Sequence, residues 1–460
     1  MGRRTRWSGL VGFTLAALVA VAARPVLAHG GSLGGAAREP LTIPTWLMLA
    51  TGGAVVGASF LLASFATDRA AVDALVERRW AVALPAPTVL RWAAGALGVV
   101  VLLGVVVTGF VGPSDPLSNP AVVIVWAGWW AGFAMSTYLV GNAWPALNPW
   151  RTAVAALPDF GRTYRWRFGA WPSVAGLLAL VWIEVVSPLA DEPRVLAVTV
   201  VAYSVVTVAG AVVYGTETWF AEVDPVARVF RYYGAVAPIG RDGEGSLSVR
   251  LPGAALASDL LDGVDDAAFV VAILWVTTFD GFVATPAWRD LARGLVGLGY
   301  PIELLYPGAM LVGFALFLGV YLLASRLARR TAPTYVASET LARRFAPPLL
   351  AIAAGYHVAH FLGYFVSLIP ALFAAVTAPL ATVNPGLIVV PGWFGGVAIA
   401  GVLGGHLLAI LAAHATAFDL FPGRLQAIRS QYPFIAVMIG YTMASLWIVT
   451  RPDVPLPYLP

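Results

Sequence analysis

The sequence predicts an all-α fold: a polytopic helical membrane protein with about ten transmembrane helices behind an N-terminal signal peptide. Three observations carry this prediction. Of 460 residues, 59% are hydrophobic and only 11% charged, with a mean hydropathy of +0.81. Soluble chains run at about 45–50% apolar and about 25% charged, so this one lacks the polar side chains to cover a water-facing surface. The apolar residues also fall in repeated runs near the length of about 20 residues that spans a bilayer as a helix. Between those runs the arginines are distributed unevenly, in the way that sets membrane orientation.

Taken in order, the chain opens MGRRTRW, continues with an apolar stretch from Ser8 to Ala23 and reaches Val26-Leu27-Ala28. A basic start, a short apolar core and a small-residue end are the parts of a secretory signal peptide. Residues 1–28 are therefore expected to be cleaved, leaving 29–460 as a single transmembrane domain that begins at His29. The spanning segments are expected near 44–65, 90–112, 121–143, 171–189, 195–214, 267–286, 302–325, 347–370, 392–416 and 433–450. The stretch from Ala371 to Pro391 is apolar but interrupted by Pro379, Pro385 and Pro391, and reads as an outer loop or a re-entrant segment. With the mature N-terminus outside, the inner connections carry 18 arginines and the outer set 5, which follows the positive-inside rule and puts both termini outside the cell membrane. The longest inner connection, roughly 215–266, is broken by GRDGEGS and Pro252-Gly253 and is too short for a domain of its own.

Composition also excludes chemistries. There is no cysteine, so thiolate metal sites, disulfides and cysteine nucleophiles are absent. All 28 basic residues are arginine, which removes the lysine of a phosphate-binding loop and of a Schiff base. No like-charge run is long enough to bind nucleic acid. The expected partners are the lipid bilayer and a small apolar substrate or metal ion, with a second subunit left open.

The informative residues are the ionisable ones inside the spans, because a charge in the hydrocarbon core is costly and usually faces a cavity or a partner. Glu184, Asp280 and Glu303 fall in the outer half of the bilayer by their distance along their helices. Glu303, at a membrane edge, is the one that water can solvate. GYHVAHFLGYF places His357 and His360 about one helical turn apart, with their rings within about 60° of each other. His406 lies at a matching depth, whereas His414 lies further inward and is free to bond a backbone carbonyl. The expected metal ligands are His360, His357, His406 and Asp280, joined by the new terminus at His29, whose amine and imidazole can chelate copper. Zinc, copper, manganese and iron all accept such nitrogen and oxygen donors. The bland alternative is that each histidine serves an interhelical hydrogen bond. Trp126, Trp129 and Trp130 read most simply as interface anchors, Asn148-Pro149-Trp150-Arg151 as a capped turn, and Glu217, Glu222 and Asp224 as a solvated ion-pair surface.

Four strings, LNPWR at 147–151, ETW at 217–219, TTFDGF at 277–282 and VAHF at 358–361, follow an HG start in this order. Together they resemble a family of bacterial and archaeal membrane proteins known as fenitrothion hydrolases, over nearly the whole mature chain. The resemblance implies hydrolysis of an organophosphate triester at the phosphorus–aryloxide bond, and marks Asp280, His360, Asn148, Trp150 and Arg151; His357 lies outside the family's string. The expected function is a membrane-embedded, metal-dependent hydrolase with Asp280 in the site and Glu184 as general base. The competing expectations are a secondary transporter or channel for a metal ion or proton-coupled solute, and a copper-handling membrane protein.

Overall fold

The computed structural model describes residues 45–459 apart from 66–67, 83–87, 165–167, 242–246, 383 and 453. The expected signal peptide and His29 lie outside the described residues. Among the described residues, ten long helices carry the fold: α1 (Thr45–Ala63), α2 (Thr88–Val111), α3 (Pro120–Leu139), α4 (Trp171–Val186), α5 (Pro193–Tyr214), α6 (Val264–Val283), α7 (Leu305–Thr331), α8 (Leu349–Ser367), α9 (Phe394–Leu420) and α10 (Arg424–Val449). Among the described residues, seven helices are long and apolar enough to cross a membrane, and Leu49–Ala63 and Trp171–Val186 are shorter apolar helices. α10 begins with Arg424, Gln426, Arg429 and Gln431 and continues through Pro433, so the helix starts well before the apolar run.

Local chemistry sets many of the boundaries. Asn119-Pro120, Asn148-Pro149, Asp224-Pro225 and Thr285-Pro286 each start a helix, the first residue accepting a hydrogen bond from a backbone N–H of the first turn at 2.9, 3.0, 2.7 and 3.3 Å respectively. Proline follows because its fixed φ suits the first helical position, where no N–H is needed. α3 is α-helical at its ends but a π-helix over Ile124–Phe133.

α6 is the central helix. It is apolar on every side, Ala267 to Thr278 being buried throughout, as expected of a helix surrounded by others. α8 and α9 pack closely through glycine: a Cβ at Gly355 would lie 2.4 Å from the Gly401 carbonyl oxygen, and one at Gly405 2.4 Å from that of Ala351.

The connections expected to carry inner arginines meet at one end of the molecule. Arg69 bonds the Phe421 carbonyl, Arg343 pairs with Asp259 at 3.0 Å, Arg344 pairs with Asp419, and Gln426 reaches the Pro333 carbonyl at 2.7 Å. A three-stranded antiparallel sheet in the order β1-β3-β2 joins two of them there: β1 (Arg79–Val82), β2 (Ile239–Arg241) and β3 (Leu247–Arg250), with Arg79 opposite Arg250. The fold is therefore helical with a small β element on the arginine-bearing end. Burial, with Arg79 beside it, pulls the Arg250 guanidinium down from its ordinary value.

At the opposite end, Val454 N–H donates to Ala284 and Tyr306 to the Pro457 carbonyl, both at 2.8–2.9 Å. The proline-interrupted segment after α8 forms a short helix, Ile369–Thr377, and then an extended return pinned to the end of α8: Ile388 N–H donates to Ser367 at 3.0 Å, and the Ser367 hydroxyl to Ile388 at 2.9 Å.

Candidate functional site

Asp280 lies one turn from the C-terminal end of α6, and Gly281 beside it creates the approach that the site needs. A Cβ at Gly281 would stand 2.3 Å from the Tyr356 hydroxyl of α8 and 2.7 Å from Ile448 of α10. With no side chain there, α8 comes in and His360, one turn after Tyr356, faces α6. His360 Nε2 lies 3.4 Å from Asp280 Oδ2, with 26% and 16% of the two side chains exposed. The Tyr356 and His360 rings are nearly parallel, 6.1 Å between centroids, as residues four apart on one helical face can be.

α4 adds Glu184, half-buried near its C-terminal end and close enough for its charge to act on Asp280. Tyr364, one turn after His360, feels both Glu184 and Asp191, which follows the 3-10 turn Pro188–Ala190. The result is a line of ionisable groups from Asp191 through Tyr364 and Glu184 to Asp280 and His360. Two carboxylates this close repel when both are ionised, whereas a histidinium opposite Asp280 attracts.

The two histidines of α8 diverge. Fully buried His357 turns toward α3, where its Nδ1 is hydrogen-bonded to the Tyr138 hydroxyl at 2.9 Å, and its ring meets Trp130, Tyr233 and Phe361. His357 Nε2 has no partner in bonding geometry, although the Trp130 carbonyl of the π-segment lies close by. His406 is likewise buried; its Nδ1–H donates to Val402 of its own helix at 2.8 Å, and its Nε2 is unpartnered among the described residues. No group of three His, Asp or Glu side chains among the described residues is arranged to hold a metal ion. His414, read as able to bond a backbone carbonyl, faces Gln431 of α10, whose Nε2 lies 3.3 Å from its Nδ1. Glu303 is exposed in the short turn Ile302–Leu304.

Two other readings of the sequence change. Trp129 packs with Trp144 and Phe230 inside the molecule and Trp130 edges His357, so these two are packing groups of the π-segment and not interface anchors. Asp224 is buried, accepting from Tyr203 at 2.7 Å, Thr207 at 3.3 Å and Ala227 N–H, and burial holds its carboxyl above the usual range. A solvated ion pair suits Glu217, whose side chain is 84% exposed opposite Arg151, and Glu222, 37% exposed, lies 3.4 Å from buried Arg228.

The four distinctive strings meet in pairs. LNPWR and ETW join at the arginine-bearing end: Arg151 donates two parallel hydrogen bonds to Glu217 at 2.6 and 2.9 Å, Trp150 Nε1 donates to Ser204 at 2.7 Å, and Trp219 fills the space beside Gly210. TTFDGF and VAHF join at the Asp280–His360 contact. The first pair builds a junction between connections, and the second builds the site. No family model, curated protein or solved structure matches this chain.

Sequence reasoning missed Tyr364 and Tyr138. Tyr364 carried a readable signal, since it continues the His360 face at a four-residue spacing in GYHVAHFLGYF. Tyr138 carried none, because only the packing of α3 on α8 brings it to His357.

Proposed function

We propose that this chain is a secondary transporter or channel that passes protons, with Asp280, His360 and Glu184 as the site that holds the proton in transit. The observation that carries this is the direct 3.4 Å contact of His360 with Asp280 on facing helices, with Glu184 acting on the same carboxylate. Acids and histidines inside membrane segments serve as proton relays because a charge there is expensive unless partnered. A proton moving among three adjacent groups keeps the local charge small at every position. Ten crossings of the cell membrane with both mature termini outside belong to the same proposal; the gathering of the arginine-bearing connections at one end supports them.

The test is proton uptake into proteoliposomes under an imposed potassium diffusion potential, followed with an entrapped pH dye. The expected result is uptake above protein-free vesicles, reduced about tenfold or more in Asp280→Asn, a barrier rise of about 1.4 kcal/mol. Uptake equal to that of empty vesicles, or unchanged in Asp280→Asn, overturns the proposal.

The resemblance to fenitrothion hydrolases favours a second reading, because Asp280 and His360 come from the strings that carry it. There, His360 oriented by Asp280 takes a proton from water as the water oxygen attacks phosphorus and the aryloxide leaves. Among the described residues no three-ligand group is assembled, and the step is written with the protein groups that the structure places together. The reading expects nitrophenolate release from an aryl phosphate triester by the purified protein, lost in His360→Ala. Absence of release from the wild-type protein removes it.

A further inference from the structure

The connection that leads from the short helix Pro149–Val154 to α4 is laid against the carbonyl end of α5, on the arginine-bearing side. Phe160 and Arg162 N–H donate to the Val212 and Val213 carbonyls, each at 2.9 Å. Gly161, at a φ of +51°, makes the turn between them with its N–H bonded to Asp159 Oδ1 at 2.7 Å. Further on, the Tyr164 hydroxyl donates to the Gly169 carbonyl at 2.9 Å. These bonds frame a cavity of about 430 Å³ lined by Arg162, Thr163, Tyr164, Phe168 and Tyr214. That volume lies in the range of about 300–1,000 Å³ usual for small-ligand sites. Tyr164 meets Tyr214 edge-on at 5.9 Å, and Tyr214 is stacked on Trp219 at 6.3 Å, so the aromatic wall is fixed from behind.

We infer that this cavity holds a phosphate-bearing ligand, the headgroup of an anionic phospholipid, with the phosphate on Arg162 and Thr163 and the rest of the headgroup against Tyr164 and Tyr214. Proton transfer plays no part in it.

The charge comes from the connection itself. Arg162 is exposed and enters no ion pair among the described residues, whereas Arg151 is paired with Glu217. A guanidinium presents paired N–H donors that match a phosphate. In the sequence, RTYRWR at 162–167 has three arginines in six residues, and no Asp or Glu occurs between Asp159 and Glu184. The two acids whose charge reaches Tyr164 are engaged elsewhere: Glu222 lies 3.4 Å from Arg228, and Asp265 Oδ2 accepts from Ala170 N–H at 2.6 Å.

The surroundings favour a lipid over a freely diffusing phosphate. Phe160 and Phe168 of the connection and Trp171 at the start of α4 are 67, 47 and 46% exposed. Aromatic side chains at the rim of a membrane protein sit at the level of the headgroups. α5 leads away from Tyr214 with Val201, Val205 and Val206 exposed, an apolar surface on which acyl chains lie while the phosphate stays with Arg162. Basic pockets at the arginine-rich ends of membrane helices hold anionic headgroups in this way.

The experiment is thermal unfolding of the full-length protein in detergent with added phosphatidylglycerol, phosphatidylcholine of the same acyl chains, or inorganic phosphate. The expected result is a melting temperature raised by about 2–4 °C by phosphatidylglycerol alone. That rise is lost in Arg162→Gln, and also in Thr163→Phe, which keeps the charge and fills the cavity. Both positions are exposed, so neither variant removes a core contact. Arg329→Gln removes an exposed arginine at the same end and is expected to keep the rise. Equal stabilisation by inorganic phosphate overturns the lipid as occupant and leaves a site for free phosphate. No rise with phosphatidylglycerol, an equal rise with phosphatidylcholine, a rise retained in Arg162→Gln or Thr163→Phe, or one lost equally in Arg329→Gln overturns the inference, and none of these outcomes touches the proton reading.

Discussion

Asp280 and His360 meet because a glycine stands next to the acid, and the junction at the other end is held by charges of a different kind. Arg228 is buried and pairs with Asp266 while donating to Tyr232 at 2.8 Å. Replacing it, as in Arg228→Met, leaves Asp266 without its cation, and breaking a buried pair costs about 3–5 kcal/mol; chemical unfolding in detergent is expected to show that loss. Glu217 behaves differently because it is exposed. The hydrogen bonds from Arg151 hold its carboxyl below the ordinary range, so the folded state binds its proton more weakly than the unfolded state does. That contribution is present above the unfolded value of about 4.3 and is lost as pH falls through the lower folded value. Glu217→Gln is therefore expected to melt slightly below the wild type at neutral pH, with the gap closing in acid. Asp280 and His360 were legible in the sequence because an ionisable residue in an apolar run stands out. The divergence of His357 from His360 was not, since a rotation of about 60° between neighbouring turns lets two rings share a cavity or face different helices.

Helix packing decides which of those outcomes occurs. The glycines of α8 and α9 permit a backbone approach that any side chain would block: a Cβ at Gly355 meets a carbonyl oxygen, which has no rotamer to move into. Gly355→Ala is expected to cost about 1–3 kcal/mol, in the range of overpacking, measured by thermal unfolding in detergent. Gly281→Ala meets the end of the Tyr356 side chain and Ile448 instead. Its expected signature is weaker proton uptake with a smaller loss of stability, because Tyr356 can swing aside and take its stacking on His360 with it. Helix positions were readable from the apolar runs and from the Asn-Pro, Asp-Pro and Thr-Pro starts. The π-segment was not, because IVWAGWWAGF is equally compatible with an α-helix and only packing on α8 separates the two. The sheet was missed because its strands have three or four residues each and come from connections far apart in the chain.

For the molecule as a whole, the arginine-bearing connections share one end, and the chain's lack of cysteine makes its orientation easy to test. Tyr335 stands fully exposed in the connection that leads to Arg343 and Arg344, and Leu298 is 88% exposed in a connection expected on the other side. In intact cells, an impermeant thiol reagent is expected to label Leu298→Cys and to leave Tyr335→Cys unlabelled until the membrane is opened. Labelling in the reverse pattern inverts the orientation. By itself the sequence determined that the chain is a helical membrane protein, roughly where its helices run, and which ionisable residues are too costly to bury without partners, because those properties follow from local composition and the price of charge in an apolar medium. Tertiary structure decided the pairings: Asp280 with His360, His357 with Tyr138, Arg151 with Glu217 and Asp266 with Arg228. Each joins residues that are distant in sequence, and their approach depends on glycine contacts and helix rotations that no local pattern encodes.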